Sequence, residues 1–486
     1  MSSSANARAG ECQPLLEKDD ASSSSYCCSG PVLVRILTCV TSIAEGYDIS
    51  VISGAIIIMA KELALSKVEV GVIMGSSYLA MAVGCLGAGS LMESAGRKLS
   101  LCVSYAFLTA GSLIMAFGHS FLMLLTGRLT VGIGIAMGLI AVAAYIAEVS
   151  PADRRGLFSS AEEMFIVIGI LLGYLANYML LGLKHDWRYM LALGAVIPFI
   201  FMLLLLTPLF PESPRYLLLR GKVDEAKQVL AMLVSQDEVE QVMLQWKETQ
   251  VSDSFSWARV LWPDGSGKRR AVFAGVGVGV SQLMTGIPIV GLCSSMMLEV
   301  ELGTKQAFFQ VLLVGAFRVV VAAIVTLVLV DNWGRRPLLL LSASGLALCC
   351  TFLAVAFHLQ LSAIPWKLLG IYMFVCFYSI GIGPVGYTYM GEVLDSDVRG
   401  NGIALAGFLS RLFAAGLLMG FPTASAGIGI HGVFYFLASI NATLALSFYI
   451  VVRETKLVPL ETMWKVFTTP RASPKEPPAS PTLSVA

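Results

Sequence analysis

The sequence predicts an all-α membrane protein with twelve transmembrane helices, arranged as two pseudo-symmetric halves of six. Of its 486 residues, 56% are hydrophobic and only 13% are charged, whereas a soluble domain carries about 25% charged residues. Apolar runs of about 20 residues, long enough to cross a hydrocarbon core of roughly 30 Å, recur along the chain. Two short charged motifs also occur twice, about half a chain apart, which is typical of bundles built by duplication.

The apolar runs define twelve spans, numbered 1 to 12 in chain order. Their predicted bounds are 32–60, 69–92, 99–119, 121–149, 158–182, 188–210, 271–298, 306–330, 337–358, 366–394, 401–421 and 432–452. The halves therefore cover 31–210 and 271–453. A polar linker at 211–270 shows apolar residues at helical spacing, which predicts short amphipathic helices under the bundle. The tails, 1–30 and 454–486, are polar, and we expect the first to be disordered.

The short loops indicate the orientation, because Lys and Arg are enriched in cytoplasmic loops. Arg97 and Lys98 follow span 2, and Arg335 and Arg336 follow span 8 at the matching place in the second half. The linker is also rich in basic residues. Both termini and the linker are therefore predicted to be cytoplasmic.

Several classes of function are disfavoured by the composition and by the absence of the relevant motifs. The net charge of +1 gives no indication of nucleic-acid binding. The ten cysteines show no metal-ligand spacing, and most lie inside predicted spans, where small buried side chains are the simpler interpretation. No nucleophile–base set and no phosphate-binding loop is recognisable. We therefore expect neither an enzyme nor a bound metal or cofactor.

The N-terminal tail contains a candidate trafficking signal. Glu11, Leu15 and Leu16 fit an acidic dileucine motif, which adaptor proteins read. Three fixed positions also arise easily by chance, so both interpretations stand. The membrane itself, plasma membrane or endosomal or vacuolar membrane, is open at this stage.

Five motifs together resemble the sugar porter family of the major facilitator superfamily. They are Gly46-Tyr47-Asp48 in span 1, Gly127-Arg128 in span 4, Pro211-Glu212-Ser213-Pro214-Arg215 after span 6, Gly334-Arg335-Arg336 after span 8, and Arg453-Glu454-Thr455-Lys456 after span 12. Span 5 is most similar to the polyol and inositol branch. The resemblance covers about 30–465. It implies the major facilitator fold and transport by alternating access.

Asp48 in span 1 and Arg128 in span 4 are the candidates for proton coupling. A charge at bilayer depth costs at least about 2.5 kcal/mol, so each needs a partner or a task. Spans 1 and 4 are predicted to be antiparallel, which lets the two side chains face each other. The resemblance implies that Asp48 takes a proton from the outer side when this pair weakens. The alternative is a static ion pair.

Other charges inside the spans have less certain roles. Glu45, three residues before Asp48, either tunes that carboxylate or faces an outer vestibule. The resemblance places Glu163 in span 5 where hexose porters bind substrate through a glutamine, beside Glu162. Arg318 in span 8 and Arg411 in span 11 either contact substrate or pair with an acid such as Glu163.

A sugar site needs converging hydrogen-bond groups and an aromatic face. The resemblance assigns substrate binding to one set of residues, namely Glu163, Gln282, Thr285, Tyr387, Ser410 and Arg411. Two sugar-binding amides of the family pattern are missing, because Leu283 and Pro288 occupy their positions, which argues against an ordinary aldohexose. Spans 7 and 10 also contain candidate gate residues, Gly286 and Pro288, then Gly383 and Pro384, since broken helices act as gates.

The repeated motifs supply two matched sets of charges, which the resemblance assigns to a cytoplasmic lock. The sets are Glu93, Arg97, Glu148, Arg155, Glu212 and Arg215, and then Asp331, Arg335, Glu392, Arg399 and Glu454. The lock would tie helix ends together while the inner side is closed, and its rupture would open that side. Exposed surface pairs contribute little, but the repetition in both halves favours a lock.

The sequence therefore predicts a transporter of monosaccharides or polyols that works by proton symport. A facilitative hexose or inositol uniporter is the first alternative. A nutrient sensor that does not transport is the second, favoured by the missing sugar amides and disfavoured by the short tails.

Overall fold

The residues that the structure describes contain twelve helices long and apolar enough to cross a membrane, which confirms the predicted fold class. The computed structural model describes residues 29–150, 155–207, 210–233, 239–240, 243, 257–263, 265–325, 333–359, 364–456 and 463–468. The first half contains Ser29–Thr41 with Ile43–Glu62, then Lys67–Ala95, Arg97–Ala116, Phe121–Val149, Arg155–Leu180 and Asp186–Leu206. The second contains Ser266–Met284 with Ile287–Leu302, then Thr304–Ile324, Arg335–His358, Ile364–Ile380 with Ile382–Val393, Ser396–Gly427 and Gly429–Val451.

Spans 7 and 10 are each interrupted near the middle of the membrane. Span 7 breaks at Gly286, whose φ of 93° places it in the left-handed region that favours glycine. Pro288 then stands in the first turn of the helix that resumes. Span 10 breaks at Gly381, and Gly383 and Pro384 lie in the first turn after this break. The predicted gate residues are thus at or next to real helix breaks, which expose backbone carbonyls.

Close helix packing in the first half depends on glycine. A Cβ added to Gly46 in span 1 would overlap the carbonyl of Ile166 in span 5, and one on Gly169 would overlap the carbonyl of Ile43. In lipid the hydrophobic effect does not drive helices together, so close backbone approach and van der Waals contact provide the stabilisation. Span 1 is therefore held against span 5 along the region that carries Asp48.

The described part of the linker contains the short helices Pro214–Leu219, Val223–Leu233 and Trp257–Leu261. The second is tied to the first half by Arg35, which donates to the carbonyls of Val149 at 2.9 Å and Leu233 at 3.0 Å. This contact joins the start of span 1, the end of span 4 and the linker.

The two halves meet at the ends opposite the charged motifs. We call the ends that carry these motifs the inner ends and the opposite ones the outer ends. Lys61 of span 1 pairs with Glu299 of span 7 at 2.5 Å, and the Tyr174 hydroxyl donates to the Gly291 carbonyl at 2.7 Å. Span 2 also packs on span 11 at Gly71, where an added Cβ would overlap the Met419 carbonyl. These contacts close the bundle on its outer side.

Candidate functional site

A cleft lies between the two halves, and its empty space, including the part open to solvent, is about 310 Å³. Its walls come from span 5 in the first half and from spans 8 and 10 in the second. The lining residues are Glu163, Met164, Val167, Arg318, Ala322, Tyr378, Ser379, Gly383 and Pro384. A carboxylate, a guanidinium, two hydroxyls and an aromatic ring therefore converge on one cavity, which is the chemistry that a polyhydroxylated ligand requires.

The cleft joins the predicted Glu163 to one of the cations whose role the sequence left open. Arg318 stands over the ring of Tyr378, with 5.7 Å from the guanidinium carbon to the ring centroid. The charge of Arg318 also acts on Glu163 across the cavity. Glu163 can accept hydrogen bonds from substrate hydroxyls, and Arg318 can donate them.

Gln282 and Thr285 hold the helix breaks in this structure. The Gln282 amide donates to the carbonyls of Ile382 at 3.3 Å and Gly383 at 3.1 Å, which lie in the first turn after the break in span 10. The Thr285 hydroxyl donates to the Gln282 carbonyl at 3.0 Å. Buried backbone groups need such partners, so these two side chains support the cavity wall, and the amide nitrogen of Gln282 is already engaged.

Tyr387, Ser410 and Arg411 form a second polar group where spans 10 and 11 face the first half. The ring of Tyr387 is 44% exposed, and its hydroxyl lies near the Arg411 guanidinium. Arg411 donates to the Gly407 carbonyl at 3.2 Å, while its Nε has no partner among the described residues. Ser410 bonds only to its own helix, at the Gly407 carbonyl. Tyr387 and Arg411 thus have hydrogen-bonding capacity left for a ligand.

Asp48 and Arg128 are both buried and lie near each other, but they do not form an ion pair. Asp48 accepts from the Ser112 hydroxyl at 3.1 Å through Oδ1, and its Oδ2 has no partner within the described chain. Arg128 instead donates to the Ile73 carbonyl at 3.2 Å and to the Ser77 hydroxyl at 2.6 Å. The two side chains therefore have separate hydrogen-bond partners, and one Asp48 oxygen has none among the described residues.

The inner end of the first half carries a compact set of polar contacts, which we call the first inner cluster. Arg97 pairs with Glu148 at 2.7 Å, and Glu148 also accepts from the Ser213 hydroxyl. Glu212 accepts from the backbone N–H groups of Arg97 at 2.9 Å and Lys98 at 3.2 Å. Glu212 therefore caps the helix that begins at Arg97, whose first N–H groups have no partner within the helix.

The second inner cluster repeats this arrangement in the second half. Arg335 pairs with Glu392 at 2.9 Å, and Glu392 accepts from the Thr455 hydroxyl at 2.5 Å. Glu454 accepts from the N–H groups of Arg335 at 2.9 Å and Arg336 at 3.1 Å. Thr455 stands where the first cluster has Ser213, so the duplication extends to individual hydrogen bonds.

One tyrosine in each half joins its cluster to the backbone, with opposite polarity. The Tyr145 hydroxyl donates to the Pro211 carbonyl at 2.7 Å. The Tyr389 hydroxyl accepts from the Arg453 N–H at 3.2 Å. The two contacts occupy equivalent places in the halves.

The other predicted lock residues are placed differently or lie outside the described part. The side chain of Glu93 is exposed, and its carbonyl accepts from Arg220 at 3.3 Å. Arg399 donates to the Leu394 carbonyl at 3.1 Å, and Arg215 is partly buried beside the first cluster. Asp331, the side chain of Arg155, and the tail residues Glu11, Leu15 and Leu16 fall outside the described residues.

Comparison with known proteins gives the family. Residues 34–467 match the family model described as "Sugar (and other) transporter". The chain belongs to the sugar porter family of the major facilitator superfamily. It is accordingly a multi-pass membrane transporter for sugars or polyols and not an enzyme, as the sequence predicted.

Individual relatives of this transporter agree with the family. It is 33% identical to "Probable polyol transporter 4" of Arabidopsis thaliana over 87% of this chain and 82% of that protein. It is 30% identical to "Polyol transporter 5" of the same plant, over 89% and 85%. Its fold is similar to that of the xylose transporter XylE from E. coli in a partially occluded inward-open conformation, with a TM-score of 0.77, 23% identity, and coverage of 89% and 100%.

The sequence analysis did not identify two polar residues that line the transporter's cleft, Tyr378 and Ser379. Both lie in span 10 just before the break at Gly381, in an apolar run without any charge to mark them. A helix break exposes side chains of the preceding turn to the cavity, and the Gly-x-Gly-Pro sequence was the signal available.

Proposed function

We propose that this transporter carries a monosaccharide or polyol together with a proton by alternating access. Asp48 takes the proton, and the substrate binds in the cleft between Glu163, Arg318, Tyr378 and the exposed ring of Tyr387. Arg411 completes the site from span 11. The outer side closes through the contacts of spans 1, 2 and 5 with the second half, and the inner clusters keep the helix ends of each half together.

The observation that carries the proposal is the environment of Asp48. Its buried carboxylate accepts a hydrogen bond from the Ser112 hydroxyl. The nearby Arg128 donates its hydrogen bonds to span 2 instead. A static ion pair would have joined the two charges directly. A buried carboxyl that keeps one oxygen without a partner among the described residues, near an arginine that binds elsewhere, supports reversible protonation.

The substrate class is supported by the lining of the cleft. Hydroxyls of a sugar or polyol can donate to Glu163 and accept from Arg318, while C–H groups lie against Tyr378. The sequence departs from the hexose pattern in span 7, where the amide of Gln282 is occupied by backbone carbonyls. This departure argues against an ordinary aldohexose as the substrate.

The test is uptake into proteoliposomes that contain a pH-sensitive dye, with D-sorbitol, myo-inositol and D-xylose as probes. The wild type should acidify the lumen on addition of substrate. Asp48→Asn should lose this acidification by about 100-fold, because the side chain can no longer exchange a proton, and should retain exchange of labelled substrate.

Uptake without acidification, unchanged in Asp48→Asn, would establish the facilitative uniporter instead. Binding of a probe without uptake would favour the nutrient sensor. The proposal also places both termini on the cytoplasmic side, which antibody access to tagged termini would test. It further includes an adaptor that binds Glu11, Leu15 and Leu16. Surface expression of a Leu15→Ala, Leu16→Ala variant would test this adaptor.

A further inference from the structure

Glu45 in span 1 is a carboxyl group with no contact that explains its burial. Its side chain is fully buried, and neither carboxyl oxygen has a hydrogen-bond partner among the described residues. It lies against Gly138 of span 4 and beside the Ser104 hydroxyl, so a Cβ on Gly138 would overlap a carboxyl oxygen. Glu45 therefore points into the core of the first half and not toward an outer vestibule.

Other unpartnered polar atoms line up with Glu45. The Ser42 hydroxyl and Oδ2 of Asp48 are also buried without a partner within the described chain. Ser42, Glu45 and Asp48 are spaced by three residues, so they share one face of span 1. Facing them in span 3 are the Tyr105 hydroxyl, which lies close to Glu45, and Ser112, which donates to Asp48.

Burying this row of polar groups without hydrogen-bond partners destabilises the fold, so we expect it to have a function. Leaving a buried polar group unsatisfied costs about 1–3 kcal/mol, and native structures keep few such groups. A charge in the membrane core costs more still. The concentration of these atoms along one face of span 1, starting at the proposed proton acceptor, points to a path for protons.

The charges that face Glu45 give the path a direction. Glu162 lies one helical turn before Ile166, the residue of span 5 that packs on Gly46 next to Glu45, and Arg411 and Asp48 also act on Glu45 electrostatically. Arg411 is directed to the Gly407 carbonyl, which leaves the three carboxyls to exchange a proton. Glu162 is 8% exposed and precedes Glu163, which lines the cleft.

We propose that Glu45 is a second proton-binding site, which accepts the proton from Asp48 and passes it to Glu162 for release into the cleft. The inference rests on proton coupling at Asp48. In each transfer one carboxyl O–H bond breaks and one forms on the next carboxyl, so no other reactant is consumed. The outer side is closed in this structure, which leaves the cleft as the exit.

The first experiment needs no substrate. Reconstituted wild type and Glu45→Gln are compared by infrared difference spectroscopy while the pH is stepped between about 5 and about 9, the range in which shifted carboxyls exchange protons. The wild type should show a pH-responsive protonated-carboxyl band that Glu45→Gln lacks and Asp48→Asn retains. Identical carboxyl bands in wild type and Glu45→Gln would overturn the inference, whether or not the protein transports the probes.

The second experiment measures substrate-driven acidification with D-sorbitol and D-xylose. Glu45→Gln has nearly the same shape, so it should fold and exchange labelled substrate, yet lose acidification by about 100-fold. Glu45→Asp keeps a carboxyl and should recover part of the rate. Glu225→Gln, at an exposed linker pair, is the matched control and should behave as wild type.

The outcomes separate the two proposals. Acidification that is normal in Glu45→Gln but lost in Asp48→Asn would refute the role of Glu45 and leave symport intact. Wild-type uptake without acidification would refute symport, and the infrared comparison would still decide whether Glu45 exchanges a proton.

Discussion

Individual side chains at the inner ends serve two purposes, and only one of them was readable in the sequence. The repeated motifs identified Glu212 and Glu454 as charges of a lock. The structure shows that both also accept backbone N–H groups at the starts of helices that begin more than a hundred positions earlier. Capping from a distant segment leaves no local pattern, so this role could not be predicted.

The ion pairs of the inner clusters each join helix ends within one half. Arg97 and Glu148 belong to the first half, and Arg335 and Glu392 to the second. They are formed here although the outer side is closed. Because both partners of each pair move with the same half, a rigid-body rocking of the halves leaves them intact. If these pairs control the inner gate, we expect them to do so through the shape of each half.

Arg97→Ala should lower the stability of the transporter. Glu148 is only 10% exposed as a side chain, so the mutation leaves a largely buried carboxylate unpaired, which costs up to about 3 kcal/mol. The melting temperature in detergent, measured by a thiol-independent fluorescence assay, should fall.

Neutralising the Glu148 carboxylate tests whether its unpaired charge causes the loss of stability. The double variant Arg97→Ala, Glu148→Gln should regain part of the lost melting temperature, since the two sites are in contact and their effects are not additive. A double variant as unstable as the sum of the two single variants would contradict the argument.

At the scale of helices, the breaks in spans 7 and 10 were the part of the site most accessible to sequence reasoning. Gly and Pro in the middle of apolar runs predicted them, and the structure has a break at each place. The orientation of Gln282 was not accessible in the same way. Its amide is fixed by carbonyls of span 10, and no pattern within span 7 contains that information.

Gly286→Ala should destabilise the break in span 7. Its φ of 93° costs an alanine about 1–2 kcal/mol, and the new Cβ would lie 2.7 Å from the Leu437 side chain. We expect a lower melting temperature and slower substrate exchange, both measured in the purified transporter.

Gly277→Ala in the same span is the matched control. An added Cβ there meets nothing within 4 Å, and alanine favours a helix over glycine by about 1 kcal/mol. Its melting temperature should be unchanged or higher. A loss as large as that of Gly286→Ala would mean that any substitution in span 7 is harmful, and that the break is not the cause.

For the whole molecule, the sequence predicted the number of spans and their duplication, because hydropathy and repeated motifs record both. It contained no signal for the side on which the bundle is closed. That property depends on contacts between halves far apart in the chain, such as Lys61 with Glu299, whose members stand in unremarkable loop-end positions.

Breaking the Lys61–Glu299 pair should shift the transporter toward opening at its outer side. The Lys61 side chain is 68% exposed, so the pair contributes about 0.2–1 kcal/mol, and Lys61→Ala should change the population ratio by up to about fivefold. Distance measurements between labels at Val68 and Val300, exposed outer-end positions in the two halves, would report the shift.

Charge exchange provides the control for this pair. Lys61→Glu combined with Glu299→Lys should restore the wild-type distances, whereas Lys222→Ala, in an exposed pair within the linker, should not alter them. If the distances are the same in Lys61→Ala as in the wild type, the ion pair does not hold the outer side closed. Helix packing at Gly71 and the contact of Tyr174 would then be the cause of the closure.

The reversed hydrogen bonds of Tyr145 and Tyr389 show how a duplicated architecture tolerates divergence. A phenol hydroxyl both donates and accepts, so the same side chain binds the carbonyl of Pro211 in one half and the N–H of Arg453 in the other. Proline has no N–H, so at this position the first half offers only its carbonyl. A tyrosine therefore keeps the contact whether the segment that follows its half presents an acceptor or a donor.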